Sequence, residues 1–313
     1  ELYEKHKDWV IHLPNRDEYY FRNQMVLDLS NPEVQDFVFG VVDGLMTKYP
    51  GIAYFKWDCN SPITNIYSPY LKDKQTHLYV DYVRGLYKVL DRIKAKYPKL
   101  PMMLCSGGSG RIDYEYFTEF WASDNTDPIQ RLFIQYGYSF FYPAKSMSAH
   151  VTTWNKNASI KFRTDVAMMG KLGFDIKLSD MSGDDLTYCQ GAVKNYKRLR
   201  PAIMEGDLYR LVSPYDGTRS HAANQFVSKD KNKAVVFAFD VYPGYGEKIL
   251  PVRLEGLDAG KQYRVKEINL MPNQGSSLEG NDRVFSGDYL MKVGLNLLTG
   301  NKLYSRVVEI TAE

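Results

Sequence analysis

The sequence predicts an α/β chain whose last third is all-β. Two observations carry the first part of that prediction. Up to about residue 203, short apolar runs alternate with longer segments of helical periodicity, the pattern of a parallel sheet with crossover helices. Polar residues gather at the ends of several of those runs, where parallel α/β folds build their sites. The third observation concerns the remainder. Beyond residue 203, strand-like runs follow one another with Gly, Asp and Asn between them and no helical segment, which reads as a separate antiparallel domain. The expected domains are therefore 1–203 and 204–313.

"MVLDLS" (25–30) reads as a strand. Ser30-Asn31-Pro32-Glu33 then starts a helix, with a capping residue and a proline in the first turn, and Pro50-Gly51 ends it. "IAYFKWD" (52–58) is the next strand. Leu78, Tyr82, Leu86, Val89, Leu90 and Ile93 form one stripe of a helix from about 76 to 96. "PMMLCS" (101–106) is a strand running into a glycine-rich loop, and "FWASD" (120–124) is a further strand end. A helix follows from about Pro128, then a strand at "SFFYP" (139–143), a helix over 161–171 and a strand over 173–179. A long helix runs from Asp184 to about Arg200, ended by Pro201. In the last domain 234–242, 248–257, 262–270, 288–297 and 302–312 all read as strands. A (β/α)8 barrel takes ~250 residues. With five or six strand–helix units before residue 203, the sheet is either open or a barrel cut short.

Composition narrows the function classes. The chain is 44% hydrophobic and 25% charged, ordinary for a soluble globular protein. Its 40 basic and 37 acidic residues leave a formal charge of +3. That balance gives no reason to expect nucleic acid, another polyanion or an acidic membrane as partner, and it suits a neutral substrate. No apolar run approaches the ~18 residues of a membrane span. Cys59, Cys105 and Cys189 have neither disulfide-framework nor zinc-site spacing, and no metal or cofactor is expected. The chain begins at Glu1 and reads as a piece of a longer protein, so its compartment is not legible at the N-terminus.

The chemistry concentrates at three strand ends. In "YFKWDCN" (54–60), alternation puts Lys56 and Asp58 on one face and Phe55 and Trp57 on the other. "CSGGSGRID" (105–113) follows the strand at 101–106. Asp124 ends "FWASD", with Asp127 close behind. Two carboxylates on two such strand ends meet the demand of glycoside hydrolysis, where one attacks the anomeric carbon and the other donates and then accepts a proton. Plainer readings stand beside this one. Lys56 and Asp58 would serve equally as a rim ion pair, and Asp124 and Asp127 as helix caps. The glycine loop has neither P-loop nor GxGxxG spacing. Arg111 and Asp113 can pair with each other, His150 reads as a buried hydrogen-bonded histidine, and most of the 25 tyrosines as packing.

"FKWDCN", "CSGGSGRID", "WASDNTD" and "RLFIQYGYSFFYPAKSMSAHV" together resemble the retaining α-galactosidases of glycoside hydrolase family 36, the melibiose- and raffinose-degrading type. "ELYEKHKDWVIH", "RNQMVLDLS", "FRTDVAMMGKLGFDIKLS", "YKRLRPAIMEGDLYRLVSP" and "SGDYLMKVGL" extend the resemblance, in order, over nearly the whole chain. The resemblance implies a (β/α)8 barrel of which strands four to eight are present, followed by a C-terminal antiparallel β-sandwich. It implies that Asp58 is the nucleophile and Asp124 the acid/base. Lys56, Asn60 and Arg22 would contact the sugar, and Cys105 and Gly108 would line the wall near its 2-hydroxyl. Trp121 would pack near the site. Ser109 stands where many relatives have glycine, which bears on the shape of that loop. The implied substrate is an α-galactoside oligosaccharide, and a homo-oligomer is compatible with the resemblance. The family's first barrel strands supply an Asp pair that this chain lacks, so the expectation is that the chain by itself is not a competent enzyme. Sibling activities are galactosyl transfer and removal of α-linked N-acetylgalactosamine. A non-catalytic carbohydrate-binding role belongs to a different class.

Overall fold

The computed structural model describes all residues except 18–20, 22, 65, 107–116 and 218. The chain forms two compact units, Glu1–Trp121 and Ala122–Glu313. Each is built from its own helices and strands.

The first unit opens with a short helix α1 (Leu2–Lys5) and a 3₁₀ turn (Lys7–Trp9). Its main elements are α2 (Pro32–Lys48), β1 (Phe55–Asp58), α3 (Leu78–Lys96), β2 (Met102–Cys105) and β3 (Glu119–Trp121). The start of α2 is the one its sequence announces: the Asn31 side chain accepts from the Glu33 N–H at 3.0 Å, with Pro32 in the first turn. The three strands are parallel in the order β1-β2-β3. Asp58 registers with Cys105, Lys56 with Met103, and Met103 with Glu119. On the apolar face of the sheet, Phe55, Trp57 and Met102 join Val34, Val42, Val89, Leu90 and Ile93 of the two helices. That burial selects the register, because a one-residue slip would turn Lys56 and Asp58 into this core.

"MVLDLS" is not a strand. The wholly buried Asp28 carboxylate takes the Ser30 N–H at 3.0 Å and the Ser30 hydroxyl, and also accepts from the Ser68 hydroxyl. A side chain that claims a nearby backbone donor competes with ladder pairing, and only an isolated bridge between Val10 and Leu27 remains. Next to this turn, α3 approaches so closely that a Cβ on Gly85 would lie 1.8 Å from the Leu29 carbonyl oxygen. Gly85→Ala is therefore expected to destabilise the first unit by about 1–3 kcal/mol through overpacking, despite alanine's better helix propensity. Urea unfolding checks this, and an unchanged or raised midpoint would contradict it.

The second unit continues with α4 (Pro128–Tyr138), β4 (Met147–Val151), α5 (Ile160–Ala167), β5 (Lys171–Phe174) and α6 (Gly183–Glu205). β4 and β5 are parallel neighbours. With β1–β3 they bring the described parallel strands to five, the number expected of strands four to eight. "SFFYP" is the turn leaving α4 and not a strand. Arg210 donates to the Ser139 hydroxyl at 2.8 Å and to its carbonyl, and lies over the Phe140 ring. Pro201 does not end α6, which runs four residues further. Leu199 and Ile203 are buried against the following sheet, and this packing carries the helix past a residue that lacks a donor.

That sheet is antiparallel, in the order β10-β9-β11-β8-β7-β6. Its strands are β6 (Asp207–Val212), β7 (His221–Val227), β8 (Lys233–Asp240), β9 (Gln262–Ile268), β10 (Arg283–Ser286) and β11 (Tyr304–Ala312). Both faces are covered. Val235, Phe237 and Phe239 pack on Ala192, Tyr196 and Leu199 of α6. Ala234, Val236 and Ala238 face Val252, Leu254, Leu257, Leu290 and Leu295. The second covering layer is irregular. Residues 248–257 and 288–297 meet at the Val252–Leu295 bridge and where the Leu254 N–H donates to the Leu290 carbonyl at 3.0 Å, and a helix α7 (Gly287–Lys292) intervenes, capped by the Ser286 hydroxyl on the Tyr289 N–H. Gly294, at φ +86°, passes so close to the Val252 carbonyl that a Cβ would lie 2.3 Å from it, a positive-φ approach suited to glycine.

A polar node is buried where α5 and α6 meet this sheet. The Asp165 carboxylate pairs with Lys161 at 2.6 Å and accepts from Tyr188 (2.8 Å), Asn269 (2.9 Å) and Ser305 (2.7 Å). Burial, with the Asp165 charge second, pushes the Tyr188 phenol well above its usual range. The neutral phenol therefore supports the fold below its ordinary pKa of about 10, and that support is lost as pH climbs above it. Tyr188→Phe is expected to flatten the fall in urea midpoint between about pH 9 and 11. An identical alkaline fall in wild type and variant would contradict it.

Candidate active site

β1 supplies the central pair. Its burial alternates, with Phe55 and Trp57 half-buried on the helix side and Lys56 and Asp58 exposed on the other. Lys56 and Asp58 are not a rim ion pair. Among the described residues Asp58 makes no ion pair and no side-chain hydrogen bond, and the Lys56 ammonium lies 4.7 Å from the centre of the Trp121 ring. An exposed carboxylate without a partner is open to a substrate. A cation over an indole face is attracted by the ring's quadrupole.

Cys105 is directly across from Asp58 in the β1–β2 register and is buried. The chain leaving β1 stays attached to β2: the Cys59 N–H donates to the Cys105 carbonyl at 2.8 Å. This holds Asn60, half-buried, just past the strand end. Asp58, Lys56, Asn60 and Cys105 are thus brought together at the C-terminal ends of two adjacent parallel strands. Arg22 and Gly108 lie outside the described residues, as do Ser109, Arg111 and Asp113.

Asp124 is exposed, three residues beyond β3 in the second unit. Its loop is braced from both sides. The Asn125 N–H donates to the Ser123 hydroxyl, and the Asp127 N–H to the Asn125 side chain, each at 3.0 Å. The buried Thr126 hydroxyl meets that of Thr152, just past β4, at 2.6 Å. Asp127 is the cap of α4, accepting from the Ile129 and Gln130 N–H groups. The two aspartates of "SDNTD" therefore divide: the second is spent on a helix end and the first stands clear of it. His150 lies on β4, half-buried. Among the described residues no group of His, Cys, Asp and Glu is arranged to hold a metal, and no helix is long and apolar enough to cross a membrane.

Sequence reasoning missed Tyr54 and Glu119. The Tyr54 phenol donates to the Glu119 carboxylate, and Glu119 is buried on the same sheet face as Lys56. Burial first, and the Glu119 bond second, push the Tyr54 phenol far above its ordinary range. The available signal was alternation alone, since Tyr54 is two residues before Lys56 and Glu119 two before Trp121.

Comparison with known proteins bears on this arrangement. Residues 1–206 match the melibiase family, and residues 221–310 match the glycosyl hydrolase family 36 C-terminal domain. The α-galactosidase AgaA of Geobacillus stearothermophilus is 36% identical over 306 residues, covering 95% of this chain and 40% of that protein. The crystal structure of the GH36 α-galactosidase AgaB of the same organism superposes with a TM-score of 0.90 at 35% identity, over 100% of this chain and 42% of its own. A variant of AgaA in complex with raffinose gives 0.89 at 34% identity, over 100% and 43%. The chain spans about 40% of the length of the curated relatives it matches.

Proposed function

The chain belongs to the melibiase family of glycoside hydrolase family 36, and on that premise we propose that it carries the two carboxylates of a retaining α-galactosidase. Residues 1–203 form the catalytic part in this reading and residues 204–313 an all-β domain. The observation that carries it is Asp58: an exposed carboxylate without a partner among the described residues, at the C-terminal end of a parallel strand, with Lys56 on the same face.

Hydrolysis then proceeds by two displacements. The Asp58 carboxylate attacks the anomeric carbon as the bond to the leaving oxygen breaks. Asp124, protonated, gives its proton to that oxygen. The galactosyl–Asp58 ester is next attacked by water, whose proton returns to Asp124, and galactose leaves with its α configuration retained. In this reading Lys56, Asn60 and Arg22 contact the sugar, and Cys105 and Gly108 line the wall near its 2-hydroxyl. Charged donors such as Lys56 give the stronger hydrogen bonds in such a set. The raffinose bound by the AgaA variant supports an α-galactoside oligosaccharide as the substrate class.

The test is hydrolysis of a chromogenic α-galactoside, with the product anomer followed by NMR and galactose binding measured by calorimetry on the same protein. Turnover with retained configuration supports the reading. Inverted product refutes the two-displacement route, and turnover that is unchanged in Asp58→Asn refutes the site. Parallel assays with an α-N-acetylgalactosaminide and with an acceptor sugar separate the sibling activities.

A further inference from the structure

Tyr54 and Glu119 take no part in the chemistry above, yet they occupy the same polar face of β1–β2–β3. Glu119 is 8% exposed, and a carboxylate so buried is costly unless it is hydrogen-bonded. It accepts from the Tyr54 phenol, one residue before β1 begins. Two residues further along both strands, the Lys56 ammonium reaches the Trp121 ring. Both contacts pass from the β1 chain to β3 across β2, where Met103 registers with Lys56 on one side and Glu119 on the other. They are successive rungs on one face: residues 54 and 119 below, 56 and 121 above.

The rungs differ in stiffness. A lysine stem has many rotamers and an exposed ammonium is free to leave an indole face. A phenol donating to a carboxylate is a short, directional, charge-assisted bond, and its Glu119 end is buried although Tyr54 itself is 43% exposed. The ladders through β2 set the spacing of the strands, and the lower rung adds a side-chain tie between the β1 chain and the β3 segment that leads to Trp121.

We propose that the Tyr54–Glu119 rung is a positioning device for Lys56, fixing β3 so that Trp121 holds the ammonium on the face that carries Asp58. The inference rests on the reading of Lys56 and Asp58 as site residues. What it adds is that two groups remote from the reacting atoms set the aim of the sugar-binding cation. A hydrogen-bond acceptor at 119 is what the rung requires, so glutamine serves nearly as well as glutamate.

The test compares Tyr54→Phe, Glu119→Ala and Glu119→Gln with Lys56→Met, using two readouts. One is the Trp121 fluorescence, isolated by subtracting Trp121→Phe, which senses the cation on the ring whether or not the protein turns over substrate. The other is the galactose dissociation constant. Tyr54→Phe and Glu119→Ala are expected to shift the Trp121 emission as Lys56→Met does and to weaken galactose about tenfold, the order of one charge-assisted hydrogen bond. Glu119→Gln recovers most of both. A wild-type Trp121 spectrum in Tyr54→Phe and Glu119→Ala overturns the proposal. So does a Glu119→Gln spectrum indistinguishable from that of Glu119→Ala, which would mean the charge and not the rung is at work. If Lys56→Met changes the spectrum but leaves galactose affinity intact, the assignment of Lys56 to the sugar fails and the rung is still decided by fluorescence. Should Tyr54→Phe not fold by circular dichroism, Glu119→Ala against Glu119→Gln carries the same comparison.

Discussion

Asp58→Asn lowers turnover of an activated α-galactoside by at least about 10³-fold, because no other group in the proposed site forms the covalent intermediate. The stereochemistry of rescue gives the sharper result. In Asp58→Gly the space beside the anomeric carbon is vacated on the face opposite the leaving group. Azide entering there displaces the aglycone directly and yields the β-galactosyl azide. In Asp124→Gly the nucleophile remains, an activated leaving group departs without its proton, and azide attacks the galactosyl–Asp58 ester to give the α-galactosyl azide. For substrates with poor leaving groups the Asp124 variant loses about 10²–10⁴-fold, the usual worth of general acid catalysis. The two variants therefore give opposite anomers from one substrate. The same anomer from both, or full activity in Asp58→Asn, would remove the proposed roles.

Asp165→Ala destabilises the second unit by about 3–5 kcal/mol, the cost of leaving a buried charge without its counter-ion. Lys161 is the charge left behind, at 8% exposed. Tyr188, Asn269 and Ser305 lose their shared acceptor in the same step. These donors come from α6, from the residue after β9 and from β11, so the loss loosens three elements at once. Asp165→Asn should cost less, since an amide oxygen still accepts. Replacing both Lys161 and Asp165 by apolar residues should recover much of the loss, because the pair's desolvation is then no longer borne. Urea unfolding of the three variants checks the order. A loss below about 1 kcal/mol in Asp165→Ala would show that the node is wet and its charges cheap to separate.

Both predictions rest on residues of different legibility. Asp58 could be singled out early, because a period-2 strand dictates which side chains share a face and the apolar partners Phe55 and Trp57 identify the buried one. The Asn31 cap of α2 and the Asp127 cap of α4 were equally open to reading, since capping is a local matter of a side-chain oxygen and the N–H groups two or three residues on. The strand expected at "MVLDLS" failed because Asp28 spends its carboxylate on Ser30 and Ser68, one of them 40 residues away in the chain. The strands expected at 248–257 and 288–297 failed for a related reason. Their apolar residues face the sheet without forming a ladder, and periodicity alone does not tell a covering layer from a strand. Ser286, with Asp288 in the following turn, was the signal for α7 that went unread.

By itself the sequence determined the class of fold and the face that Lys56 shares with Asp58, and it singled out the two carboxylates proposed for the chemistry, because these follow from short-range pattern and from motif order. Tertiary structure alone decided that Lys56 rests on Trp121, that Tyr54 reaches Glu119 across a strand, and that Asp165 gathers donors from three elements. Each of those contacts joins residues 23 to 140 positions apart. The physical reason is that strand register and helix packing bring such residues together, and both are set by what the whole core buries.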